Sequence, residues 1–384
     1  MIVQMEIGVD AENPHTQRVV QLADSCGLRT EVKTTKGTGA AVTEVYLLDD
    51  RVRACTVPEH VFRPLAGVSY VRRVTPSAVS LTANGSGTHH VRLGPVAVGN
   101  DLPCQLIVGP CTVDRHIGVL VAALKEQGFD LIRGGCWKPR SNPHSFPGFG
   151  KKAVRWLLEA AQIHDVSAVF TEVIDETHLD DIRRIRDELG FEGTIVLWVG
   201  ARTENQILLR KLGRQREFPV MLKNPIGAHS VADWAERAAF VLAGETHFDD
   251  NGALIADQSL SQGNDQILLC ARGVKEDDAE SRYRFDPRHH WISTAREKYW
   301  PPVGVDPSHS AGTMVDDLVL KNLEAALVHK PAFVMVETYF DANNPLVAQP
   351  LCDGQQAIPL SRLGEVQALI AAHNERYFSV AAQP

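Results

Sequence analysis

Basic side chains recur along the sequence directly after short apolar runs. Six of them stand out, namely Arg133, Lys138, Arg140, Arg202, Lys223 and Arg272. The planar fork of arginine binds phosphate or carboxylate oxygens in pairs, whereas lysine acts as a point charge or a proton donor. If the fold brings these cations together, they repel one another unless a strongly anionic ligand lies between them. The set therefore indicates a site for two phosphate-bearing substrates.

A second set of side chains could hold a metal ion. It comprises Cys111, His309, Glu337 and Asp353, which supply one sulfur, one imidazole and two carboxylates. This mixture suits a divalent transition metal better than Mg²⁺ or Ca²⁺, which prefer oxygen, and better than structural zinc, which takes mainly Cys and His. Sequence spacing does not link the four residues, and each also fits an ordinary role in a core or a turn.

The segment CWKPRSNPHSFPGFG (136–150) places Lys138 and Arg140 on either side of Pro139, in a chain of formal net charge −8. It is too polar and too rich in proline to form a helix or a strand. We expect a loop whose basic groups bind phosphate and whose prolines reduce the entropy lost on binding. The alternative is a basic surface turn.

Eight short β-branched runs alternate with helical stretches from Gln105 onward. They are QLIVG, DLIRGG, AVFTEV, TIVLWVGA, PVMLKN, QILLCAR, PVGVDPSH and AFVMVE. Nearly continuous apolar runs are typical of parallel strands covered by helices, and eight such units predict a (β/α)8 TIM barrel, an α/β fold. A doubly wound open sheet is the alternative.

A barrel would bring the two sets of side chains together, because active sites of such barrels lie at the C-terminal ends of the strands. A charged or metal-binding residue follows each predicted strand there, in the order Cys111, Arg133, Glu172, Arg202, Lys223, Arg272, His309 and Glu337. Asp353 lies in the loop after the eighth strand. Because the eighth strand closes onto the first, the four metal-binding candidates become neighbours.

A smaller unit precedes the barrel. Residues 1–80 predict the order strand, helix, strand, strand, helix, strand, with VPEHVFRPL as the second helix. This order is typical of a small α+β ferredoxin-like (βαββαβ) unit, and it contains no catalytic cluster. The polar stretch 82–90 predicts the boundary. We expect residues 86–103 to form a β-hairpin and linker, and residues 104–384 to form a barrel that carries the catalytic residues.

The composition excludes several classes of protein. The 384 residues are 44% hydrophobic, and with an excess of acidic side chains they lack the basic surface of a nucleic-acid-binding protein. No apolar run is long enough to span a membrane and no leader begins the sequence, so we expect a cytoplasmic protein. The seven cysteines form no CxxC pair, which argues against a disulfide framework or a zinc knuckle.

Seven motifs together resemble those of type I 3-deoxy-D-arabino-heptulosonate 7-phosphate (DAHP) synthases, and they are most similar to the beta subgroup. They are, in order, GPCTVD (109–114), RGGCWKPRSNPHSFPGFG (133–150), TEV (171–173), GARTENQ (200–206), LLCARG (268–273), DPSHSAG (306–312) and CDGQQ (352–356). The resemblance spans about residues 86–370. Residues 1–80 resemble the ferredoxin-like regulatory domain that some members carry.

The resemblance implies a metal-dependent condensation of phosphoenolpyruvate with D-erythrose 4-phosphate to give DAHP and phosphate. This is the first step of the shikimate pathway of aromatic amino acid biosynthesis. Arg140 and Ser141 would bind the aldose phosphate. The residues implied for phosphoenolpyruvate are Arg133, Lys138, Gly200, Ala201, Arg202, Lys223 and Arg272.

The same resemblance implies that Cys111, His309, Glu337 and Asp353 bind the metal, which is manganese or alternatively cobalt, iron, zinc or cadmium. The metal would polarise the aldehyde oxygen while the enol carbon attacks. The catalytic residues would be Lys138, Glu172 and His309. Glu172 would lie near the water that adds to the pyruvyl carbon, and Lys138 would donate a proton.

The N-terminal unit is expected to regulate catalysis. Its open sheet face or edge could pair with a copy from a neighbouring subunit, which predicts a homo-oligomer, either a dimer or a tetramer. The resemblance implies an aromatic amino acid as the effector. The alternative is that the unit only aids assembly or solubility.

Two departures from the family leave the aldose phosphate open. KPRS stands where the family usually has KPRT, and TYFDANNPLVAQPL (338–351) is an insert beside the aldose end of the site. A sister synthase for another aldose phosphate, of the octulosonate type or in secondary metabolism, is one alternative, although the octulosonate enzymes typically carry KANRS. A non-catalytic sensor of phosphorylated metabolites is the other.

Overall fold

The computed structural model describes residues 1–37, 39–48, 57–74, 81–82, 88–140, 142–243, 247, 249–250, 255, 263–311, 317–341 and 356–378. Two predicted site residues, Ser141 and Asp353, lie outside these ranges. In the described part of the chain, no helix is both long enough and apolar enough to cross a membrane.

A small α+β unit begins the chain. Its elements are β1 (Ile2–Met5), α1 (Pro14–Ser25), β2 (Arg29–Lys36), β3 (Ala41–Leu48) and β4 (Val68–Arg72). The strands form an antiparallel sheet in the order β2-β3-β1-β4. Alternate side chains of the sheet, among them Val3, Val45 and Val71, pack with Val19 of α1 and with Phe62. One face of the sheet is therefore buried at β1, β3 and β4, whereas β2 has no fully buried residue.

The second predicted helix of this unit is wrong. Within VPEHVFRPL the structure contains only a 3-10 turn, Glu59–Val61. Pro58 precedes the turn and Pro64 follows it. A proline disfavours the helical conformation of the residue before it and lacks the N–H that a continuing helix needs, so Pro64 ends the segment after one turn.

A β-hairpin follows, formed by β5 (His90–Leu93) and β6 (Val96–Gly99). Its apolar side chains Val91, Leu93 and Val98 pack into the interior of the barrel, against residues such as Phe170 and Phe333. His89 contacts the carbonyl of Asp265 at 2.9 Å, and Asn100 donates to the carbonyl of Pro301 at 3.1 Å. Both carbonyls precede barrel strands, so the hairpin closes the N-terminal end of the barrel.

Eight parallel strands form the barrel in the described part of the chain. They are β7 (Gln105–Gly109), β8 (Leu131–Arg133), β9 (Ala168–Val173), β10 (Thr194–Val199), β11 (Val220–Lys223), β12 (Ile267–Ala271), β15 (Val303–Val305) and β16 (Phe333–Tyr339). Each pairs with the next, and β16 pairs with β7 to close the ring. The predicted TIM barrel is confirmed, and the open sheet is wrong because the sheet has no free edge between β7 and β16.

Helices cover the outside of the barrel. They are α2 (Ile117–Glu126), α3 (Lys151–Ile163), α4 (Thr177–Leu189), α5 (Gln206–Gly213), α6 (Val231–Leu242), α7 (His290–Lys298), α9 (Leu318–Leu327) and α10 (Leu363–Phe378). The single turn α8 (Pro307–Ser310) lies instead at the C-terminal end of β15. Three short strands, β13 (Val274–Lys275), β14 (Phe285–Asp286) and β17 (Ile358–Pro359), lie in the connections. Every residue of β9 and β12 is buried, because helices cover one side and the barrel interior the other.

Candidate active site

A pocket of about 460 Å³, part of it open to solvent, lies at the C-terminal ends of the strands. The predicted site residues that line it are Arg133, Lys138, Arg140, Glu172, Gly200, Ala201, Arg202, Lys223, Arg272 and His309. Two further residues, Pro139 and Trp198, also line it. The fold therefore brings the six basic residues of the sequence analysis to one pocket.

Arg133 is the most deeply buried of these cations. Its Nη2 lies 3.0 Å from Glu337 Oε1, and its guanidinium lies 5.0 Å from the centre of the Trp198 ring. Burial alone would lower the pKa of Arg133, but the charges of Glu337 and Asp306 outweigh it and raise the pKa. Two donors, Nε and Nη1, have no hydrogen-bond partner among the described residues. Unsatisfied buried donors are costly, so this side chain suits a ligand that offers acceptor oxygens.

Arg272 is also buried at the end of its strand. The backbone N–H of Arg272 donates to Asn224 Oδ1 at 2.7 Å, and the Arg272 guanidinium lies 4.0 Å from the centre of the Phe285 ring. Burial lowers the pKa of Arg272 to about 10, so the group is still charged near neutral pH. Its Nη1 lacks a hydrogen-bond partner within the described ranges. Like Arg133, it presents an unsatisfied donor at the pocket.

Asp306 joins two of the predicted residues and was missed by the sequence analysis. Its Oδ2 accepts from Lys223 Nζ at 2.5 Å and contacts His309 Nδ1 at 2.7 Å. Burial alone would raise the pKa of Asp306, but His309 and Lys223 hold the pKa well below its ordinary value. The signal was present in DPSH, because an Asp that caps a helical turn faces the residue three positions later.

His309 and Glu337 face each other through atoms that both accept hydrogen bonds. Burial lowers the pKa of His309, which favours the neutral ring. With its proton on Nδ1, the ring donates to Asp306, and the Nε2 lone pair then lies 3.3 Å from Glu337 Oε1. Glu337 Oε1 is in ion-pair contact with Arg133, but neither carboxylate oxygen meets hydrogen-bond geometry with a partner in the described part of the chain. Two buried acceptors this close suit a cation between them.

The predicted metal ligands are only partly brought together. Cys111 is buried, and its Sγ accepts from Lys138 Nζ at 3.1 Å. The pKa of Glu337 is raised to about 7. The main cause is burial of the carboxylate, and the second is the nearby charge of Cys111. Among the residues that the structure describes, no three His, Cys, Asp or Glu side chains are arranged to hold a metal ion. The sulfur, nitrogen and oxygen donors fit a transition metal chemically, and the complete ligand set stays a prediction.

The described residues of the segment 136–150 form a loop, as its composition predicts, and they fold back on one another. Lys138 N–H donates to the carbonyl of Pro147 at 2.9 Å, and Arg140 Nε donates to the carbonyl of Phe146 at 2.8 Å. The Trp137 ring stacks on His178 of α4, with 3.8 Å between the ring centres. These contacts fix the backbone on which the two basic side chains are carried.

Two glycines allow close approaches to side chains of the site. A Cβ on Gly200 would lie 2.2 Å from Glu172 Oε1, and a Cβ on Gly135 would lie 2.5 Å from Lys138 Nζ. Any larger residue would displace the carboxylate or the ammonium group. The positions of Glu172 and Lys138 therefore depend on glycine in the neighbouring strand-end segments.

The model of the DAHP synthetase I family matches residues 77–377. The chain belongs to this family. The match includes the whole barrel and every predicted site residue, while the first 76 residues lie outside it. Membership agrees with the resemblance noted in the sequence motifs, and the subgroup stays a prediction.

Two known enzymes are similar to this chain over different lengths. Phospho-2-dehydro-3-deoxyheptonate aldolase of Thermotoga maritima is 28% identical over 374 residues, which is 95% of each chain. The 2-dehydro-3-deoxyphosphooctonate aldolase of Alkalilimnicola ehrlichii is 27% identical over 286 residues, covering 70% of this chain and 90% of that protein. The first similarity therefore includes the N-terminal unit.

Two solved structures are similar to this chain in their fold. The crystal structure of the Thermotoga maritima DAHP synthase is similar with a TM-score of 0.61 and 25% identity, over 99% of this chain and 97% of that chain. A truncated form of that enzyme, 24% identical, has a TM-score of 0.58 over 79% of this chain and 98% of its own, and shows the same fold.

Proposed function

We propose that the protein condenses phosphoenolpyruvate with D-erythrose 4-phosphate to give DAHP and phosphate, the first step of aromatic amino acid biosynthesis. One observation carries the proposal. Four buried cations, Arg133, Lys138, Lys223 and Arg272, line one pocket whose other basic residues are less buried. Glu337 and Asp306 pair with Arg133 and Lys223. Two phosphorylated substrates would supply negative charge for the remaining cations of the pocket.

The deep side of the pocket suits phosphoenolpyruvate. Arg133 and Lys223 are the last residues of β8 and β11. Arg272 directly follows β12, and Arg202 comes from the loop after β10. The unsatisfied donors of Arg133 and Arg272 would bind carboxylate and phosphate oxygens, and the backbone at Gly200 and Ala201 would lie against the substrate.

The outer side of the pocket suits the aldose phosphate. Arg140 is half-buried on the loop 136–150, where its Nε is held by the Phe146 carbonyl. Its remaining N–H groups would bind the phosphate, together with the hydroxyl of Ser141. Holding both substrates in one pocket converts a bimolecular encounter into a reaction between positioned groups.

Cys111, His309, Glu337 and Asp353 would hold a divalent transition metal, with manganese the metal we propose. When bound, the ion would supply Lewis-acid polarisation of the aldehyde oxygen. The buried acceptors of His309 and Glu337 support this assignment. Asp306 contributes by fixing the His309 tautomer that leaves Nε2 without a proton.

Two charged side chains are placed to move protons. Lys138 Nζ, 3.1 Å from Cys111 Sγ, would donate a proton to the oxygen that becomes the new hydroxyl. Glu172, buried beside Gly200, would orient and deprotonate the water that adds to the pyruvyl carbon before phosphate leaves. In the balanced reaction, the enol carbon bonds to the aldehyde carbon, and water replaces the phosphate.

A phosphate-release assay tests the proposal. The protein, phosphoenolpyruvate and manganese are combined with erythrose 4-phosphate, with arabinose 5-phosphate, or with no aldose. We expect phosphate release in the reaction with erythrose 4-phosphate and none in the other two reactions. Arg202→Ala should weaken it, whereas Arg92→Ala, an exposed arginine at the opposite end of the barrel, should not. If phosphate is released with neither erythrose 4-phosphate nor arabinose 5-phosphate, the proposal is contradicted.

An octulosonate-type synthase is the second candidate, and the similarity to the Alkalilimnicola ehrlichii octonate aldolase favours it. That similarity covers 70% of this chain, against 95% for the heptonate aldolase. KPRS in place of KANRS also argues against the octulosonate type. Release with arabinose 5-phosphate alone would decide for this candidate.

The remaining expectations concern regulation and setting. We propose that residues 1–80 form a regulatory domain, that an aromatic amino acid inhibits the enzyme through it, and that the enzyme is a cytoplasmic homo-oligomer. The antiparallel sheet with one helix-covered face supports the domain assignment. Inhibition of the full-length protein by tyrosine or phenylalanine would test the effector. Insensitivity to both would favour a role in assembly.

A further inference from the structure

Arg237 is a buried cation that the proposed reaction does not use. It lies on α6, outside the barrel, and only 6% of its surface is exposed. It is absent from the lining of the pocket. Its guanidinium donates to three backbone carbonyls rather than to a carboxylate.

The three carbonyls belong to two strand-end segments of the pocket. Nη1 donates to the carbonyl of Lys223 at 2.7 Å, at the end of β11. Nη2 donates to the carbonyls of Gly200, at 3.2 Å, and of Thr203, in the loop after β10. One rigid fork thus joins the backbone that carries Arg202 to the backbone that carries Lys223.

We propose that Arg237 is a positioning residue that sets the spacing between Arg202 and Lys223 and thereby the affinity for phosphoenolpyruvate. The inference rests on the proposed function, which assigns both segments to that substrate. Arg237 acts through the backbone and touches no reacting group.

The chemistry of the side chain supports a specific role. A buried guanidinium loses its hydration, and an apolar side chain of similar volume would pack a helix against a barrel without that loss. The loss is only partly offset here, because Nε has no hydrogen-bond partner among the described residues. Burial lowers the pKa of Arg237 to about 10, so the group is still charged near neutral pH. Simple packing of α6 does not require this residue.

The contacts of Arg237 favour one substrate over the other. Its partners lie on the side of the pocket assigned to phosphoenolpyruvate, and it has no hydrogen bond to the loop 136–150 that carries Arg140, within the part of that loop that the structure describes. Loss of the fork should therefore weaken phosphoenolpyruvate binding and leave the aldose phosphate nearly unaffected.

The test compares Arg237→Met, Arg237→Lys and Trp234→Phe in the full-length protein. Trp234 is the matched control, because it is buried on the same helix and donates through Nε1 to the Leu222 carbonyl inside β11, at 3.0 Å. Calorimetry measures phosphoenolpyruvate binding without an aldose phosphate, and steady-state kinetics give kcat and both KM values.

We expect Arg237→Met to weaken phosphoenolpyruvate binding by about tenfold or more, by analogy with the loss of residues that orient metal ligands, with the aldose KM within about twofold. Arg237→Lys should recover part of the affinity, because one ammonium group cannot reach both segments with the geometry of the fork. Trp234→Phe should stay within about twofold of the wild type for both substrates.

Three results would overturn the inference. They are unchanged phosphoenolpyruvate binding in Arg237→Met, an equal loss for both substrates, and full recovery in Arg237→Lys. If Arg237→Met does not fold, as judged by circular dichroism, the Lys variant decides. A wild-type protein that fails to bind phosphoenolpyruvate would instead contradict the proposed function, so the two failures are distinguishable.

Discussion

The two ends of the barrel use the same eight strands in opposite ways. At the N-terminal end, Val91, Leu93 and Val98 of the hairpin pack with apolar side chains of the barrel interior. At the C-terminal end, buried donors of Arg133 and Arg272 and both oxygens of Glu337 have no hydrogen-bond partner among the described residues. Apolar packing indicates a stabilising role, whereas unsatisfied buried polar groups indicate a place for a ligand.

Strand β7 shows the contrast within a few residues. Cys104 precedes the strand and Cys111 follows it, and both are buried. Burial raises the pKa of the Cys104 thiol, so that thiol stays protonated and acts as a small apolar residue. Cys111 lies instead beside the Lys138 ammonium group. The same residue type thus has a different role at each end.

The largest expected effect uses these two cysteines to test that contrast. After treatment with a chelator, the protein should lose activity and recover it with manganese, because the proposed ligands supply sulfur, nitrogen and oxygen. Cys111→Ala should abolish the recovery, and Cys104→Ala should retain it. The measurement is phosphate release against added metal. Full activity in a metal-free preparation would show that the mouth of the barrel has no metal site.

The next largest effect belongs to the N-terminal end. Leu93→Ala should lower the free energy of unfolding by about 2 to 5 kcal/mol, because it removes a fully buried side chain from a packed core. Chemical denaturation measures the change, and both KM values should stay within about twofold at a temperature where the variant is folded. A large change in either KM would mean that the two ends are not independent.

Arg140→Ala should change substrate binding and leave the stability of the fold nearly unchanged, the reverse of Leu93→Ala. Loss of a charge-assisted phosphate contact costs about 1.5 to 3 kcal/mol, or roughly ten- to a hundredfold in the aldose KM. The KM for phosphoenolpyruvate and the unfolding midpoint should change little, because the side chain is half-buried on a loop. Equal effects on both substrates would show that the proposed division of the basic residues is wrong.

The smallest effect concerns an aromatic ring beside a cation. Phe285→Leu removes the ring that lies 4.0 Å from the Arg272 guanidinium, which should cost about 0.5 to 1 kcal/mol and raise the KM for phosphoenolpyruvate about two- to fivefold. Phe240→Leu is the control, since its ring lies 5.2 Å from Arg210 on the outer helices. If the two variants raise the KM for phosphoenolpyruvate equally, the contact between Phe285 and Arg272 has no specific role in substrate binding.

Much of the barrel was predictable from local patterns. The run AVFTEV became β9, buried at every residue, and ILLCA within QILLCAR became β12. Both are predictable because a strand covered on two faces must be apolar throughout. The closure of the sheet was only inferred from the number of strands, and it is established by the pairing of Phe333 with Gln105 at the β16–β7 seam.

The residues around the site divide in the same way. The sequence alone identified the charged residues at the strand ends, such as Lys223 and Arg272. Each of them directly ends or follows an apolar run, so a local pattern is enough to place it at the end of a strand. It did not identify Arg237, since an arginine on an amphipathic helix has the same local pattern whether it faces solvent or a carbonyl. Only the tertiary structure, by packing α6 against the ends of β10 and β11, decided that this cation is buried and binds their backbone. Hydrogen bonds between residues distant in the chain depend on three-dimensional packing, which local periodicity does not specify.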